Sequence, residues 1–383
     1  MGATGRVIYL DNAAPTRVDA RVVEVMVRHL RDDYGNASSL HRLGIAADQA
    51  LATARAALAR ALEAAPAEIV FTSGGTEANA LALLGAAGTA RGRHVVASAV
   101  EHPSVLRSLE LLRGAGFEVT LVPVDGEGRV DPEAFVAATR PDTAVAALML
   151  VQNEIGTVEP AGAVGALLRR AGRACVFHVD AVQALGKLPL SVRELGCDTL
   201  AVSAHKIHGP KGAGALYVRP GVRLRPLVGG GSQERGLRPG TENVPAVAGF
   251  GAAVELAGAG LPAATAAMAA LRDRLIAAVL AGDRRARLVG PPPGPGRACN
   301  SVALAFPDIP AEVLLHTLEA RGVYVSSGSA CASRQRGRSH VLTAIGLPDR
   351  LETVRLTLSR ETTAGEIDYA AAALLEAARE VHP

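Results

Sequence analysis

At 383 residues, 49% apolar and 20% charged, the chain is long enough to bury a large core and too apolar to be disordered. A formal net charge of +3, with six Phe, five Tyr and no Trp, gives no aromatic and basic surface for nucleic acid. The four cysteines, Cys175, Cys197, Cys299 and Cys331, form no C-x-x-C pair, which argues against a zinc site or disulfide framework and suits a reducing compartment.

Met1–Leu10 has no apolar signal core, so the expectation is a cytoplasmic protein. From Arg17 to about Gly221, short apolar runs alternate with helical stretches. The predicted strands are 68–72, 94–99, 117–122, 143–151, 175–179, 198–202 and 213–218. Helices are predicted near 41–64, 76–87, 103–114, 131–139 and 161–172. This alternation implies an α/β fold with a mostly parallel sheet covered on both faces. Ala246–Ala270 is long enough to span a bilayer and carries one charge, Glu255. It is rich in alanine and glycine and broken at Gly258–Pro262, so it reads as two helices at a domain border and no membrane partner is expected. Beyond it, helices near 264–281, 311–321 and 365–381 suggest a smaller α+β domain. The predicted division is 16–258 for the large domain, with 1–15 and 259–383 forming the small one.

Only three of the forty basic side chains are lysines, Lys187, Lys206 and Lys211. Lys206 follows a buried strand, where an amine that loses its proton can attack a carbonyl as arginine cannot. Asp180 ends another strand. A lysine and a carboxylate so disposed suit pyridoxal phosphate (PLP), which needs an imine former and a partner for its ring nitrogen; alone they equally suit a salt bridge between loops. In open α/β sheets ligands gather beyond the carboxyl ends of the strands. Five candidates fall there: Thr76, His102, Asn153, Asp180 and Lys206. Thr72-Ser-Gly-Gly-Thr-Glu77 offers glycine backbone and a helix start to a phosphate, or is an ordinary helix capped by Ser73 or Thr76. His102 would cap a helix or lie over an aromatic ring, and Asn153 and Gln183 would bond a phenolic oxygen or pin loops. The glycine-rich stretch 229–241 is a connector, a second phosphate contact or a subunit boundary. Arg355 sits inside a strand of the small domain; facing a cleft it suits a substrate carboxylate, facing outward it is ordinary surface. Cys331 lies among small residues and is followed by Arg334-Gln-Arg-Gly-Arg338, which favours the thiolate that attacks sulfur; alone it equally suits a chance surface cysteine in a basic loop, with the arginines a solvated face.

With these residues in hand the chain resembles the cysteine desulfurases of the class V, fold-type I PLP enzymes along nearly its whole length. The resemblance is carried by Tyr9-Leu-Asp-Asn-Ala-Ala14, Tyr34-Gly-Asn-Ala-Ser-Ser39, Phe71–Asn79, Glu101-His102, Gln152–Gly156, His178–Gln183, Ser203–Gly212, Arg235–Thr241 and Ser327-Gly-Ser-Ala-Cys331, in that order. It implies that Lys206 forms the imine with the cofactor and that Asp180 stabilises the protonated ring nitrogen. His102 would stack on the ring and Asn153 and Gln183 would contact its phenolic oxygen. Gly75, Thr76, Ser203 and His205 would hold the phosphate, with Thr241 reaching in from the other subunit of a homodimer. Asn36 and Arg355 would bind the carboxylate of L-cysteine. The family's chemistry moves the substrate sulfur to Cys331 as a persulfide, releases alanine and delivers sulfur to an acceptor or scaffold protein in iron–sulfur cluster assembly or tRNA thiolation. No resident metal is expected, although Cys331 would contact a nascent cluster in passing. A selenocysteine lyase or another class V enzyme is the alternative. Pro15, Ala37 and the arginine run 334–338 depart from the family pattern, and the last of these bears on the acceptor.

Overall fold

A computed structural model gives the structure of the protein and describes residues 7–327 and 338–381. In chain order the strands are β1 (Ile8–Tyr9), β2 (Ile69–Thr72), β3 (His94–Ser98), β4 (Glu118–Val122), β5 (Thr143–Met149), β6 (Val176–Asp180), β7 (Thr199–Ser203), β8 (Gly214–Val218), β9 (Arg287–Leu288), β10 (Ser301–Pro307), β11 (Val323–Tyr324), β12 (Ser326–Ser327) and β13 (Leu351–Thr357). Seven of them form one sheet in the order β2-β8-β7-β6-β5-β3-β4. All seven predicted strands of that sheet are present. Only β8 runs antiparallel to its neighbours, so the sheet is mostly parallel.

Side chains on a strand alternate between faces, and here both faces are apolar because both are covered. Val95, Ala97 and Ala147 pack with Leu83 and Leu109 from the helices Gly75–Ala87 and Pro103–Gly114. Val96, Ala146, Leu148 and Val179 pack on the opposite face with Leu58, Val164 and Phe250 of the helices Arg42–Leu62, Ala161–Arg170 and Val244–Gly258.

A second core joins the two ends of the chain. Ile8 and Leu10 pack with Val302, Leu304 and Phe306 of β10 and with Val354 and Leu356 of β13. Ala303 and Ala305, on the other face of β10, meet Val100 and Ile155 from loops that follow strands of the large sheet. The four-stranded sheet β12-β13-β10-β9 therefore presents one face to its own core and the other to the carboxyl ends of the large sheet.

Two elements differ from expectation. A helix at Ala20–Arg31, capped by the Asp19 side chain, had not been assigned; its Val23, Val27 and Leu30 are exposed. The helix expected over 131–139 spans only Pro132–Ala137, because Thr139 Oγ1 donates to Val136 O and Pro141 disfavours helix before it. As expected, the long apolar stretch is two helices, Val244–Gly258 and Leu261–Gly282, bent by 74° at their break; no single helix among the described residues is long and apolar enough to cross a membrane.

Candidate active site

The register of the large sheet brings the anion-binding candidates together. Gly214 at the start of β8 pairs with Thr72 on one side and Ser203 on the other, so the turns that follow β2 and β7 are neighbours. A Cβ on Gly214 would lie 2.6 Å from Gly74 Cα, so only glycine allows the two backbones this approach. The helix Gly75–Ala87 opens on Gly74 with no side-chain cap. The alternative cap by Ser73 or Thr76 is thereby corrected: glycine occupies the capping position, and Thr76 is exposed one residue into the helix. First-turn N–H groups not taken by a capping side chain suit a phosphate. Across the gap, Ser203 Oγ and His205 Nδ1 are 2.7 Å apart. Burial, followed by the charges of Lys206, Lys187 and Lys211, pushes His205 down to about 4, so its ring is neutral at pH 7.

A continuous hydrogen-bond chain joins Asp180 to His102. Asn79 Nδ2 donates to Asp180 Oδ2 (2.7 Å) and to Ser104 Oγ (2.8 Å), and Ser104 Oγ is 2.8 Å from His102 Nδ1. Asn79 Oδ1 must then accept, which makes His178 Nε2 (2.9 Å) the donor and leaves His178 Nδ1 to accept from Thr199 Oγ1 (2.9 Å). Burial pushes His178 down to about 4, consistent with this neutral tautomer. The second oxygen of Asp180 accepts the Val182 N–H at 3.0 Å. His102 Nδ1 also accepts the Ser104 N–H at 3.1 Å as the cap of its helix. The neutral His102 ring therefore carries its proton on Nε2. Burial lowers the His102 pKa, Asp180 opposes that shift, and Lys206 and His340 add to it.

Lys206 closes a short helical turn directly after β7, and its Nζ donates to Ala13 O. Gln183 Nε2 donates to the same carbonyl at 2.9 Å. The N-terminal segment is fastened over this turn: Thr16 N and Oγ1 both donate to His205 O (2.8 and 2.9 Å), and His208 N donates to Thr16 Oγ1 (2.7 Å). His208, two residues past the lysine, adopts a left-handed φ of 63°, which these bonds hold in place.

Arg355 lies on β13 opposite Ala303 and so faces the large sheet, not the solvent. Its Nη2 is 2.8 Å from Asp11 Oδ1, and its Nη1 donates to Asn153 O at 3.0 Å. Its Nε and the Asn153 Oδ1 are buried without a partner among the described residues. Asn36 accepts the Ser38 N–H on its side-chain oxygen, and it and Thr241 are exposed. Among the described residues neither side chain is hydrogen-bonded to the array.

Cys331 and Arg334 lie outside the described residues. The segment that carries them leaves from β12, where Ser326 pairs with Arg355, and returns at Ser339 and His340. Ser339 Oγ donates to Glu154 Oε2 at 2.6 Å, and His340 Nε2 lies 2.9 Å from Glu101 O. These contacts fall on the chain neighbours of Asn153 and His102. Burial pushes Glu101 up to about 8 and Glu154 up to about 7. Burial likewise pushes the Cys175 and Cys197 thiols up to about 11 and about 12, which makes them inert core thiols. Asn79, Ser104, His178, Thr199 and Asp11 were not among the predicted site residues. Two had a legible signal, since His178 is two residues before Asp180 on one strand face and Asn79 is four beyond Gly75 on one helix face.

The donor set fits pyridoxal phosphate, with a buried carboxylate, a lysine at the adjacent strand end and an uncapped helix start arranged around one sheet edge. The chain matches the family described as aminotransferase class V over residues 8–370. It is 42% identical over 367 residues to the cysteine desulfurase IscS of Methanosarcina thermophila, covering 95% of this chain and 90% of that protein. It is 45% identical over 378 residues to a cysteine desulfurase of Bradyrhizobium diazoefficiens, covering 96% and 93%. A solved NifS-like protein superposes with a TM-score of 0.90 at 37% identity, covering 97% of this chain and 98% of that one. The chain belongs to the class V aminotransferases, a family of PLP-dependent enzymes with the type I fold. Within that family it belongs with the cysteine desulfurases.

Proposed function

We propose that the chain is a PLP-dependent cysteine desulfurase that converts L-cysteine to L-alanine and takes the sulfur onto Cys331. The observation that carries this reading is the hydrogen-bonded array from Asp180 through Asn79 to His102, set beside Lys206 at the carboxyl edge of the sheet. Asp180 would hold the cofactor's ring nitrogen, the Gly75–Thr76 helix start with Ser203 and His205 its phosphate, and Asn153 and Gln183 its phenolic oxygen. When bound, the cofactor supplies an electron sink for the pair left on the substrate Cα. Arg355 would take the substrate carboxylate, exchanging Asp11 for it, with Asn36 as the second contact. The freed Lys206 amine would move the Cα proton. His102 presents a proton at Nε2, so it would receive the substrate's thiol proton only after giving up its own. The Cys331 thiolate would attack the substrate sulfur; the C–S bond breaks, alanine leaves and Cys331 keeps a persulfide, so atoms and electrons balance without an outside oxidant.

The finer assignments follow the same reading. Residues 16–258 would form the cofactor-binding unit, with 1–15 and 259–383 as the unit that carries Cys331. A homodimer would bring Thr241 of one subunit to the phosphate of the other, and the protein would act in the cytoplasm. Sulfur would pass to an acceptor or scaffold protein with an acidic surface recognised by Arg334 and Arg336. Arg338, the described member of that run, is engaged by Asp349 and Leu347 O, so it is no free docking charge. Reversing Arg334 and Arg336 to glutamate should slow transfer to the acceptor while alanine production continues; equal transfer would remove these arginines from docking.

The direct test compares alanine and sulfide release from L-cysteine, with a reductant present, in wild type and Cys331→Ala. The expected result is loss of both products while the bound cofactor's visible absorbance remains. Activity that survives in the variant would overturn the persulfide route and point to direct expulsion of sulfur.

A further inference from the structure

The chemistry above leaves two lysines unused; Lys211 is exposed, whereas Lys187 is buried to 6% exposure directly behind Lys206. Its Nζ donates to the Lys206 carbonyl at 3.2 Å. The chain reaches this position through Gly186 (φ 70°), where a Cβ would come within 2.9 Å of Ile207 Cγ2; the 186–187 backbone is thus pressed against the turn that carries Lys206. Among the described residues no carboxylate lies within ion-pair distance of Lys187. The nearby Cys299, whose Sγ is 3.6 Å from Lys187 O, has its pKa raised by burial and stays a neutral thiol. A buried ammonium with no counter-ion is costly, and replacement by an apolar side chain would ordinarily be tolerated or stabilising. Its presence beside the reactive lysine calls for a reason.

We propose that Lys187 is a positioning residue whose uncompensated charge, fixed on the Lys206 carbonyl, biases Lys206 toward the neutral amine that attacks the cofactor and the substrate proton. A cation near a second amine disfavours its protonation. The other charges around Lys206 do not supply this. His102 and His205 have pKa values lowered by burial, Asp180 lies on the cofactor side and acts in the opposite sense, and Lys211 is exposed. Across a cavity of about 80 Å³ lined by Lys187, Lys206, His208 and Arg360, the Arg360 guanidinium is held by Asp19 at 2.9 Å, a carboxylate it shares with Arg21, and His208 has its pKa lowered by burial. Burial lowers Lys187 itself to about 8, so the bias acts at neutral pH and fades as the pH rises past that value.

The inference rests on Lys206 as the imine former, and the test separates the two. Apoprotein of wild type, Lys187→Met, Lys187→Arg and Lys206→Ala would be mixed with PLP, and the rate of imine formation followed against pH by absorbance. Lys187→Met should load about tenfold more slowly near pH 7, with its rate–pH midpoint about one unit higher. With L-cysteine, its kcat should fall while KM holds. Lys187→Arg, whose guanidinium can enter the cavity and keep the charge, should restore both. If Lys187→Met fails to fold, Lys187→Gln retains the donor to the carbonyl without the charge and carries the same expectation. An unshifted midpoint in the neutral variant, or no rescue by arginine, overturns the role of Lys187. Imine formation that persists in Lys206→Ala overturns instead the assignment of Lys206.

Discussion

The two sides of the site are built on different principles. On the cofactor side the polar groups are already satisfied by one another: Asp180, Asn79, Ser104, His102, His178 and Thr199 form one bonded array before any ligand enters. On the substrate side Arg355 holds a stand-in carboxylate, Asp11, and its Nε and the neighbouring Asn153 Oδ1 have no partner among the described residues. The first side is prepared to keep one group permanently, whereas the second is prepared to exchange. A resident cofactor gains from donors and acceptors that need no rearrangement. A transient substrate needs a guanidinium whose present partner can be displaced, and Asp11, in a segment fastened by the bonds of Thr16, is such a partner.

The sharpest way to break this contrast is on the cofactor side. Asp180→Asn should lower kcat by about 10²–10³-fold, the usual cost of one preorganised electrostatic group, and weaken cofactor retention, read by visible absorbance after dialysis. If activity survives, the array is structural and the ring nitrogen finds its partner elsewhere. On the substrate side Arg355→Lys gives up the planar fork, so KM for L-cysteine should rise about tenfold or more with a smaller change in kcat. Asp11→Asn should act in the opposite direction and lower KM by several-fold, because Arg355 no longer leaves an anionic partner to receive the substrate. A rise in KM in both variants would show that Asp11 holds Arg355 in place and does not compete for it.

Most of the cofactor side could be read from the sequence because sheet topology did the sorting. Once seven strands were placed, Asp180, Lys206, His102 and Thr76 fell at one edge, and the register of Gly214 between Thr72 and Ser203 brings that edge together. Unread were the residues that bind the array from within. Asn79 and Thr199 look like an interior polar residue of a helix and of a strand, and their partners are 99 and 21 residues away in the chain. Arg355 was left open between cleft and surface, because its facing depends on the pairing of β13 with β10, and β10 was not assigned from the sequence. The helix Ala20–Arg31 carries legible signals, the Asp19 cap and Val23, Val27 and Leu30 at helical spacing, but that apolar stripe stays exposed and only Val22 of its residues is buried, so it marks no core contact. Lys187 stood out by residue type, yet only the fold shows that its ammonium ends on the Lys206 carbonyl.

The smallest effect concerns a carboxyl group that belongs to neither side. Glu159 accepts the Val130 N–H at 3.0 Å, and burial pushes it up to about 8 from an ordinary glutamate value near 4.5. A folded-state pKa above the unfolded one means that the folded protein binds more protons between the two values. Its contribution to stability is therefore intact below about pH 4.5 and is lost as the pH rises toward 8, at no more than about 1.4 kcal/mol per pH unit. Glu101 and Glu154 follow the same sign, but both support the site, so their variants would mix stability with activity. Glu159→Gln keeps the acceptor for Val130 and cannot ionise. Denaturant midpoints between pH 5 and 8 should fall less steeply in this variant than in wild type, while the pH profile of kcat stays the same. A flattened kcat profile would tie Glu159 to the array on the cofactor side, and the separation between a closed array and its surrounding core would then be wrong.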